Sequence, residues 1–474
     1  MRAFVLKFLA PLFVLGLVLG FFAFKIPTLA PRFSDGHVYS YMGSLIAQGW
    51  VPYRDFYYSS PPLLPYLTAA LNLIWGPSWR VDLWVPLLCA GLDALILLLF
   101  ARRAPGGFSG AMAVALLLSS FCLFATSDFA TDVHPITVCI LLALLLSSRG
   151  LFFMAGLVLG LAGLTKIYAL VGAFGLLAGL AGLRRWQAVL RVGYGLAATF
   201  GLVFLGFYLW LGQPFLDQVI VNNLGRGEGI DKGAIFTFFL KHDPLMVLMF
   251  ALVPFAFFHP RCKALPFDVR FLSVCMLAAL TVFYGFYPDT YYLYFLPGCA
   301  LLAFWGGIIG GGLNSRVGQI LAWILLGASL FYTASRYRSE QRDAAVIVDL
   351  PRIVDRVTTI TEATDPIYGD SEFTPLVALL SARSIADRLV DTNSKFFKQG
   401  IFDFDERLTA VRKAGTRIIL TKAIVDEAGM ILQGPESVLP REFFKQRCMV
   451  DSSWPITHDY SANAILIWRC DPSF

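Results

Sequence analysis

LFFMAGLVLGLAGLTKIYALVGAFGLLAGLAGL, residues 151–183, carries a single charged side chain, Lys166, in 33 positions. As one α-helix it would run about 50 Å, far beyond a hydrocarbon core of about 30 Å. Arg149 precedes it and Arg184-Arg185 follow it. Basic residues gather at the cytoplasmic ends of spans, so both flanks belong on the same side. Two short spans joined at Lys166 satisfy length and charge together. The stretch therefore reads as a membrane hairpin with Lys166 at its far tip.

The rest of the chain follows the same grammar. Of its 474 residues 57% are hydrophobic and only 15% charged, with a mean hydropathy of +0.67. Soluble domains carry about 25% charged residues, and one globular core could not hide this much apolar surface. Apolar windows fall at about 6–24, 80–100, 108–126 and 132–148. After the pair within 151–183, further windows lie at about 192–211, 244–258, 270–286, 293–312 and 317–334. That is a polytopic α-helical membrane protein with about eleven transmembrane helices. Arg2, Lys7 and the apolar run from Phe8 to Ala23 mimic a secretory signal. The run is long for one and lacks a clean small-residue cleavage site, so it reads as a retained first helix. The net charge of +6 suits the positive-inside bias; no basic run or aromatic RNA motif points to nucleic acid.

Pro61–Gly76 is apolar, but as a span it would invert every later loop and put Arg102-Arg103, Arg184-Arg185, Arg261 and Lys263 outside. It reads as a juxtamembrane or re-entrant helix, with Trp75 and Trp79 at the interface. Eleven spans with the N-terminus inside leave the tail outside, in the periplasm of a bacterium. The expected organisation is a membrane domain over 1–335, with juxtamembrane helices at about 35–76, and an extracytoplasmic α/β domain over 336–474. In the tail, Ile367–Asp370, Arg417–Thr421 and Ala464–Arg469 read as strands, and Asp349–Thr361 and Phe404–Lys413 as amphipathic helices. Six of the eight cysteines (Cys89, Cys122, Cys139, Cys262, Cys275, Cys299) lie in or beside apolar segments, as buried thiols do. Cys448 and Cys470 form the one pair in an oxidising compartment and are expected to be disulfide-bonded. No Cys/His spacing suggests zinc.

Polar residues collect at the outer face. Asp35 and His37 follow the first helix in Ser34-Asp35-Gly36-His37. An amphipathic helix runs to Gln48, then come Gly49-Trp50-Val51-Pro52-Tyr53-Arg54-Asp55-Phe56 and Ser59-Ser60-Pro61-Pro62-Leu63. Asp128, Asp132 and His134 form a second loop. Arg226, Glu228, Asp231 and Lys232 lie in a third, and Tyr291-Tyr292 precede a late helix.

This arrangement resembles the GT-C superfamily of membrane glycosyltransferases, in the branch of aminoarabinose transferase and protein O-mannosyltransferases. The likeness rests on an acid after the first helix, an amphipathic juxtamembrane helix, G-x-x-P-Y-x-D-F, and Pro-Pro-Leu. Gly160-Leu161-Ala162-Gly163-Leu164-Thr165-Lys166 and Tyr291-Tyr292 ahead of Pro297 add to it. The resemblance implies a sugar moved from a polyprenyl-phosphate carrier to an extracytoplasmic acceptor (lipid, glycan or protein), with inversion, by a multi-pass enzyme of the inner (plasma) membrane. It implies Asp35 as base and Asp132 as second-loop acid. Lys166, Arg54, Asp128, His37, Tyr291 and Tyr292 are the candidate substrate contacts. Asp35 and Asp132 could also hold a divalent cation; related enzymes differ. Ser59-Ser60 stand where aminoarabinose enzymes have Glu-Lys, and Gly36 where a second acid is common, which leaves the sugar open.

The chemistry fits these residue types. A hydroxyl attacking an anomeric carbon needs a base, and the departing phosphate needs cations opposite it. The rival class is a transporter or a flippase for lipid-linked substrates. Transporters carry internal repeats and ionisable groups at the bilayer midplane. Here no repeat is evident, and the spans are almost free of charge apart from Asp93.

Overall fold

The computed structural model describes residues 2–101, 109–225, 227, 229–259, 265–313, 316–343, 347–426, 428, 430–434, 437–459 and 462–471. Arg102, Arg103, Arg226, Glu228, Arg261, Cys262 and Lys263 lie outside the described residues. The chain opens with α1 (Arg2–Lys25), α2 (Gly36–Ala47), α3 (Leu63–Trp75), α4 (Trp79–Ala101), α5 (Ser109–Leu118), α6 (Phe121–Thr126) and α7 (Val133–Ser148). Then come α8 (Phe152–Thr165), α9 (Leu170–Gly182), α10 (Trp186–Leu196), α11 (Leu202–Leu211), α12 (Gln213–Leu216), α13 (Asn222–Leu224), α14 (Lys232–His242) and α15 (Pro244–Phe258). The helices α16 (Phe267–Phe286), α17 (Leu296–Gly311) and α18 (Arg316–Asp343) precede a mixed C-terminal segment. Two compact units result: residues 1–29, 84–207 and 228–339 form one, and 30–83, 208–227 and 340–474 the other.

In the first unit the 33-residue apolar stretch breaks at Lys166. Its backbone is extended there (φ −154°, ψ 134°), between α8 and a short 3-10 turn, Ile167–Ala169, that leads into α9. Helices α8 and α10 pack backbone to backbone. A Cβ on Gly156 would lie 2.1 Å from the Val192 carbonyl oxygen, and one on Gly195 2.1 Å from that of Phe153. Such small-residue seams are how helices associate in lipid, where apolar burial between them gains nothing over the solvent. The buried core contains Trp305, Phe121, Leu144 and Met276. By contrast, Val317, Ile320, Leu321, Ile324, Leu325 and Phe331 of α18 are exposed, the pattern of a face turned to lipid.

Six helical segments among the described residues are long and apolar enough to span: Pro11–Thr28, Trp79–Phe100, Trp186–Leu211, Phe267–Phe286, Tyr292–Gly311 and Val317–Glu340. A seventh arises if α14 and α15, bent by 102° at Asp243, are one span. The remaining expected spans form shorter helices, α5, α7, α8 and α9. Even the 16-residue α7 measures only about 24 Å. The expected number of eleven is thus not reached by length alone. The corner at Asp243 is held by its carboxylate, which accepts from the amides of Phe121 (2.7 Å) and Cys122 (2.8 Å) and from Ser120 Oγ (3.0 Å) at the start of α6.

In the second unit α2 lies against α3. Gly43 permits it, because a Cβ there would meet Thr68 Oγ1 at 2.7 Å and the Ala69 amide nitrogen at 2.9 Å. Helix α3 has 13 residues, about 20 Å, too short to cross a bilayer on its own. Asp82, at the start of α4, is buried and accepts a hydrogen bond from Ser40 Oγ of α2. Asn72 Nδ2 of α3 donates to the Ser40 carbonyl (3.3 Å), so one serine gathers all three segments.

The C-terminal part holds a five-stranded sheet of β1 (Ile367–Gly369), β2 (Ile418–Val425), β3 (Ile431–Gln433), β4 (Cys448–Asp459) and β5 (Ala462–Cys470). Its order is β1-β2-β5-β4 with β3 on β2; β1 and β2 are parallel and the other pairs antiparallel. Helices over Leu350–Ile360 and Phe404–Lys413 agree with the amphipathic reading. Cys448 and Cys470 face each other across β4 and β5 and are joined by a disulfide. The bridge closes a loop of about 22 residues and should contribute about 3 kcal/mol. Cys448→Ser or Cys470→Ser should lower the unfolding free energy of this region by that order, read in denaturant titrations. Equal stability of wild type and variant, or free thiols in the native protein, would contradict the bridge.

Candidate active site

The first unit gathers Asp132, Lys166 and Tyr168. Asp132 precedes α7 without capping it through its side chain. Its Oδ2 instead lies 3.1 Å from Lys166 Nζ, and Tyr168 Oη donates to its Oδ1 at 3.2 Å. Both charged residues are buried. Lys166 owes its place to the break between α8 and α9. Tyr168, two residues on, carries the contact into an aromatic cluster: its ring lies 4.9 Å from that of Tyr294 and 6.1 Å from that of Tyr284. Tyr291 meets Tyr294 edge to face at 5.9 Å, which links Tyr291 to Asp132 through two rings. Tyr292 stacks on Phe238 at 4.5 Å. Tyr168 was not singled out from the sequence, although it stands in the same turn as Lys166.

Asp128 belongs to a different cluster. Lys25 Nζ, fully buried, donates to Asp128 Oδ1 (2.6 Å), the Phe124 carbonyl (2.8 Å) and Tyr337 Oη (2.6 Å). Tyr337 Oη in turn donates to Asp128 Oδ2 at 2.5 Å. All three ammonium protons are engaged, which is what a buried charge requires. The network ties α1 and α18 to the turn before α7.

In the second unit Asp35 is exposed at the first residue before α2. Its carbonyl accepts from the Val38 amide (3.0 Å), while Ser34 Oγ accepts from the Gly36 amide (2.9 Å), so the serine caps this turn. His37 is buried, and its Nε2 is 2.6 Å from the Arg32 carbonyl oxygen, which fixes the loop leading to Asp35. Burial lowers the imidazole from its ordinary 6.5 to about 4, against the opposing pull of that hydrogen bond. The ring is therefore neutral at pH 7 and donates to Arg32. Arg54 is exposed and pairs with its neighbour Asp55, whose Oδ2 also accepts from the Val51 amide (2.8 Å).

The segment 208–227 shapes the Tyr53–Ser60 motif, a role that sequence reading missed. Gln218 accepts from the Tyr58 amide (2.9 Å) and donates to the Tyr53 carbonyl (3.0 Å). Asn223 Nδ2 donates to the Ser59 carbonyl (2.5 Å) and Asn222 Nδ2 to Tyr57 Oη (3.1 Å). Tyr53 takes a left-handed backbone (φ 70°), and its hydroxyl donates to the Ser60 carbonyl (2.6 Å). A non-glycine residue in that region is strained and stays there only where its surroundings hold it. Among the described residues, no three His, Cys, Asp or Glu side chains come together as a metal site.

No protein-family model matches the chain, and no curated protein matches it. Solved structures do. ArnT from Cupriavidus metallidurans bound to undecaprenyl phosphate superposes with a TM-score of 0.64 at 13% identity, covering 96% of this chain and 97% of that one. Its apo state gives 0.63 at 14% identity, with coverage of 97% and 98%. An oligosaccharyltransferase of Archaeoglobus fulgidus in complex with Zn and sulfate gives 0.54 at 13% identity, over 86% of this chain and 67% of that one. The fold is GT-C. At such low identity the likeness carries the fold and no residue roles, so the residues of this chain are argued from their own geometry.

Two measurements check that geometry. Removing one partner of a buried ion pair leaves the other uncompensated, at a cost of about 3–5 kcal/mol. Asp132→Asn and Lys166→Met should each destabilise the protein by that order, and Asp132→Leu/Lys166→Met together by clearly less than the sum. Additive losses would show that the two charges are not coupled. The second concerns acid. The folded chain keeps His37 neutral where the unfolded chain would bind a proton, so its contribution is intact above pH 6.5 and lost as pH falls toward 4. The thermal midpoint should drop across that window, and less steeply in His37→Gln. Identical slopes would contradict the burial of a neutral ring.

Proposed function

We propose that this chain is a membrane glycosyltransferase moving a sugar from a polyprenyl-phosphate-linked donor to an acceptor outside the cytoplasm, with residues 336–474 on that side. The observation that carries the reading is the superposition of nearly the whole chain on an ArnT structure that holds undecaprenyl phosphate. The buried Asp132–Lys166–Tyr168 cluster adds to it, as does the rigidly held turn that carries Asp35.

In this reading the Asp35 carboxylate takes the proton of the acceptor hydroxyl as that oxygen attacks the anomeric carbon. The bond from that carbon to the carrier phosphate breaks, and the electron pair leaves with the phosphate. Attack opposite the leaving group inverts the anomeric centre. Lys166 offers positive charge to the departing phosphate, and Asp132 and Tyr168 hold the ammonium in position. The acceptor class and the sugar, hexose or pentose, follow from substrate screening. A transport reading has one observation in its favour: Asp93 is fully buried in α4 with neither carboxylate oxygen hydrogen-bonded among the described residues.

Purified protein in liposomes with a polyprenyl-phosphate sugar separates the two readings. Transfer predicts release of polyprenyl phosphate with the sugar on an acceptor, and a loss of about a hundredfold or more in kcat for Asp35→Asn with the fold retained. Translocation of intact donor without cleavage, or near wild-type turnover of Asp35→Asn, would overturn the assignment. A reporter fused after Phe474 and active only in the cytoplasm would overturn the topology.

A further inference from the structure

The second unit contains a solvent-connected cavity of about 740 Å³ that the reaction above does not use. Tyr41, Ser44 and Leu45 of α2 line it, with Gln48 and Trp50 just beyond the helix. Residues 382–388 line it as well, joined to α2 where the Ile385 amide donates to Tyr41 Oη (2.9 Å). The volume falls within the range of about 300–1,000 Å³ usual for small-molecule clefts.

The wall at 382–388 is built under strain. Ala382, Asp387 and Arg388 take positive φ (52°, 52° and 51°), three of the five non-glycine residues that do so among the described residues. Consecutive left-handed residues are costly, and such strain persists where a surface must present particular groups. Here it presents Arg388. Its guanidinium carbon lies over the Trp50 indole, 3.4 Å from the ring centroid; no carboxylate forms an ion pair with it among the described residues, although Asp55, itself paired with Arg54, is near enough to feel its charge. A stacked guanidinium keeps its in-plane N–H fork available, a geometry suited to carboxylate or phosphate oxygens. Arg383, buried in the same wall, has its donors taken by Thr361 Oγ1 and by the carbonyls of Ser381 and Thr361. It therefore adds charge without offering a fork. Asp387 pairs through Oδ2 with Arg407 (3.3 Å). Gln48, also lining the cavity, is exposed.

We propose that this cavity binds an acidic saccharide, its carboxylate or phosphate held by the Arg388 fork and its hydroxyls by Gln48, Ser384 and Asp387. The two cationic side chains select an anion. The surrounding amide, hydroxyls and carboxylate match a polyhydroxylated ring and would leave a lipid chain facing unpaired polar groups.

Calorimetry on the full chain in detergent, with no lipid donor present, tests this apart from the transfer reading. The probes are a uronic-acid disaccharide, a sugar phosphate, a neutral disaccharide and inorganic phosphate. At least one of the two acidic sugars should bind at least tenfold more tightly than the neutral disaccharide and than inorganic phosphate. Arg388→Gln should lose tenfold or more of that affinity. Gln48→Glu, which sets a carboxylate on the exposed wall and leaves the strained turn untouched, should do the same, with thermal melting confirming that each variant is folded. Equal binding of acidic and neutral sugars, or of phosphate alone, would overturn the proposal. So would unchanged affinity in folded Gln48→Glu, or no binding of either acidic sugar.

Discussion

A charge buried in a membrane-spanning bundle needs an opposite charge or hydrogen bonds close by, and this requirement fixes where two lysines of the first unit sit. Lys25 meets it with three acceptors from three parts of the chain: Phe124, Asp128 and Tyr337. The outcome is a fixed meeting point for the first and last long helices. The same rule governs Lys166, which stands where α8 breaks and is answered by Asp132 and, through it, Tyr168. Two lysines, each at the end of a helix, thus set where the polar chemistry of the bundle sits. One is locked by a tyrosine that both accepts and donates; the other opens onto a cluster of tyrosines.

The second unit obeys the complementary rule for backbone. The Tyr53–Ser60 turn has no regular secondary structure, so its amides and carbonyls need partners from elsewhere. Gln218 and Asn223 supply them from a segment more than 150 residues away, and Tyr53 accepts a strained conformation as part of the arrangement. His37 does the same for the loop before Asp35 by donating to Arg32. Under the proposed function Asp35 is a base that must meet a hydroxyl at a set angle, and such support would serve it, because misplacement by an ångström removes most of a base's value.

Local signals were readable from the sequence. The break at Lys166 followed from the length of 151–183 and its basic flanks, and the separate α3 followed from the charge balance of later loops. The amphipathic helices and three strands of the tail showed their periods. Strand β4 did not, because Cys448–Asp459 holds Asp451, Ser452, Ser453 and Pro455 and pairs through two register shifts, as an irregular edge strand does. The number of spans was blurred by short apolar helices such as α5 and α8 and by the bend at Asp243. Partnerships were the least legible part. That Asp128 answers Lys25, that Asp82 meets Ser40, or that Gln218 braces Tyr58 depends on contacts between distant residues, which no local pattern records.

The central claim is that this chain is built around a lipid phosphate. Native mass spectrometry of the protein released from nanodiscs that contain undecaprenyl phosphate and ordinary phospholipids tests it most directly. One undecaprenyl phosphate should be retained per chain in preference to phosphatidic acid, with retention weakened by Lys166→Met. Retention no greater than that of phosphatidic acid, or unaffected by loss of the lysine, would contradict it.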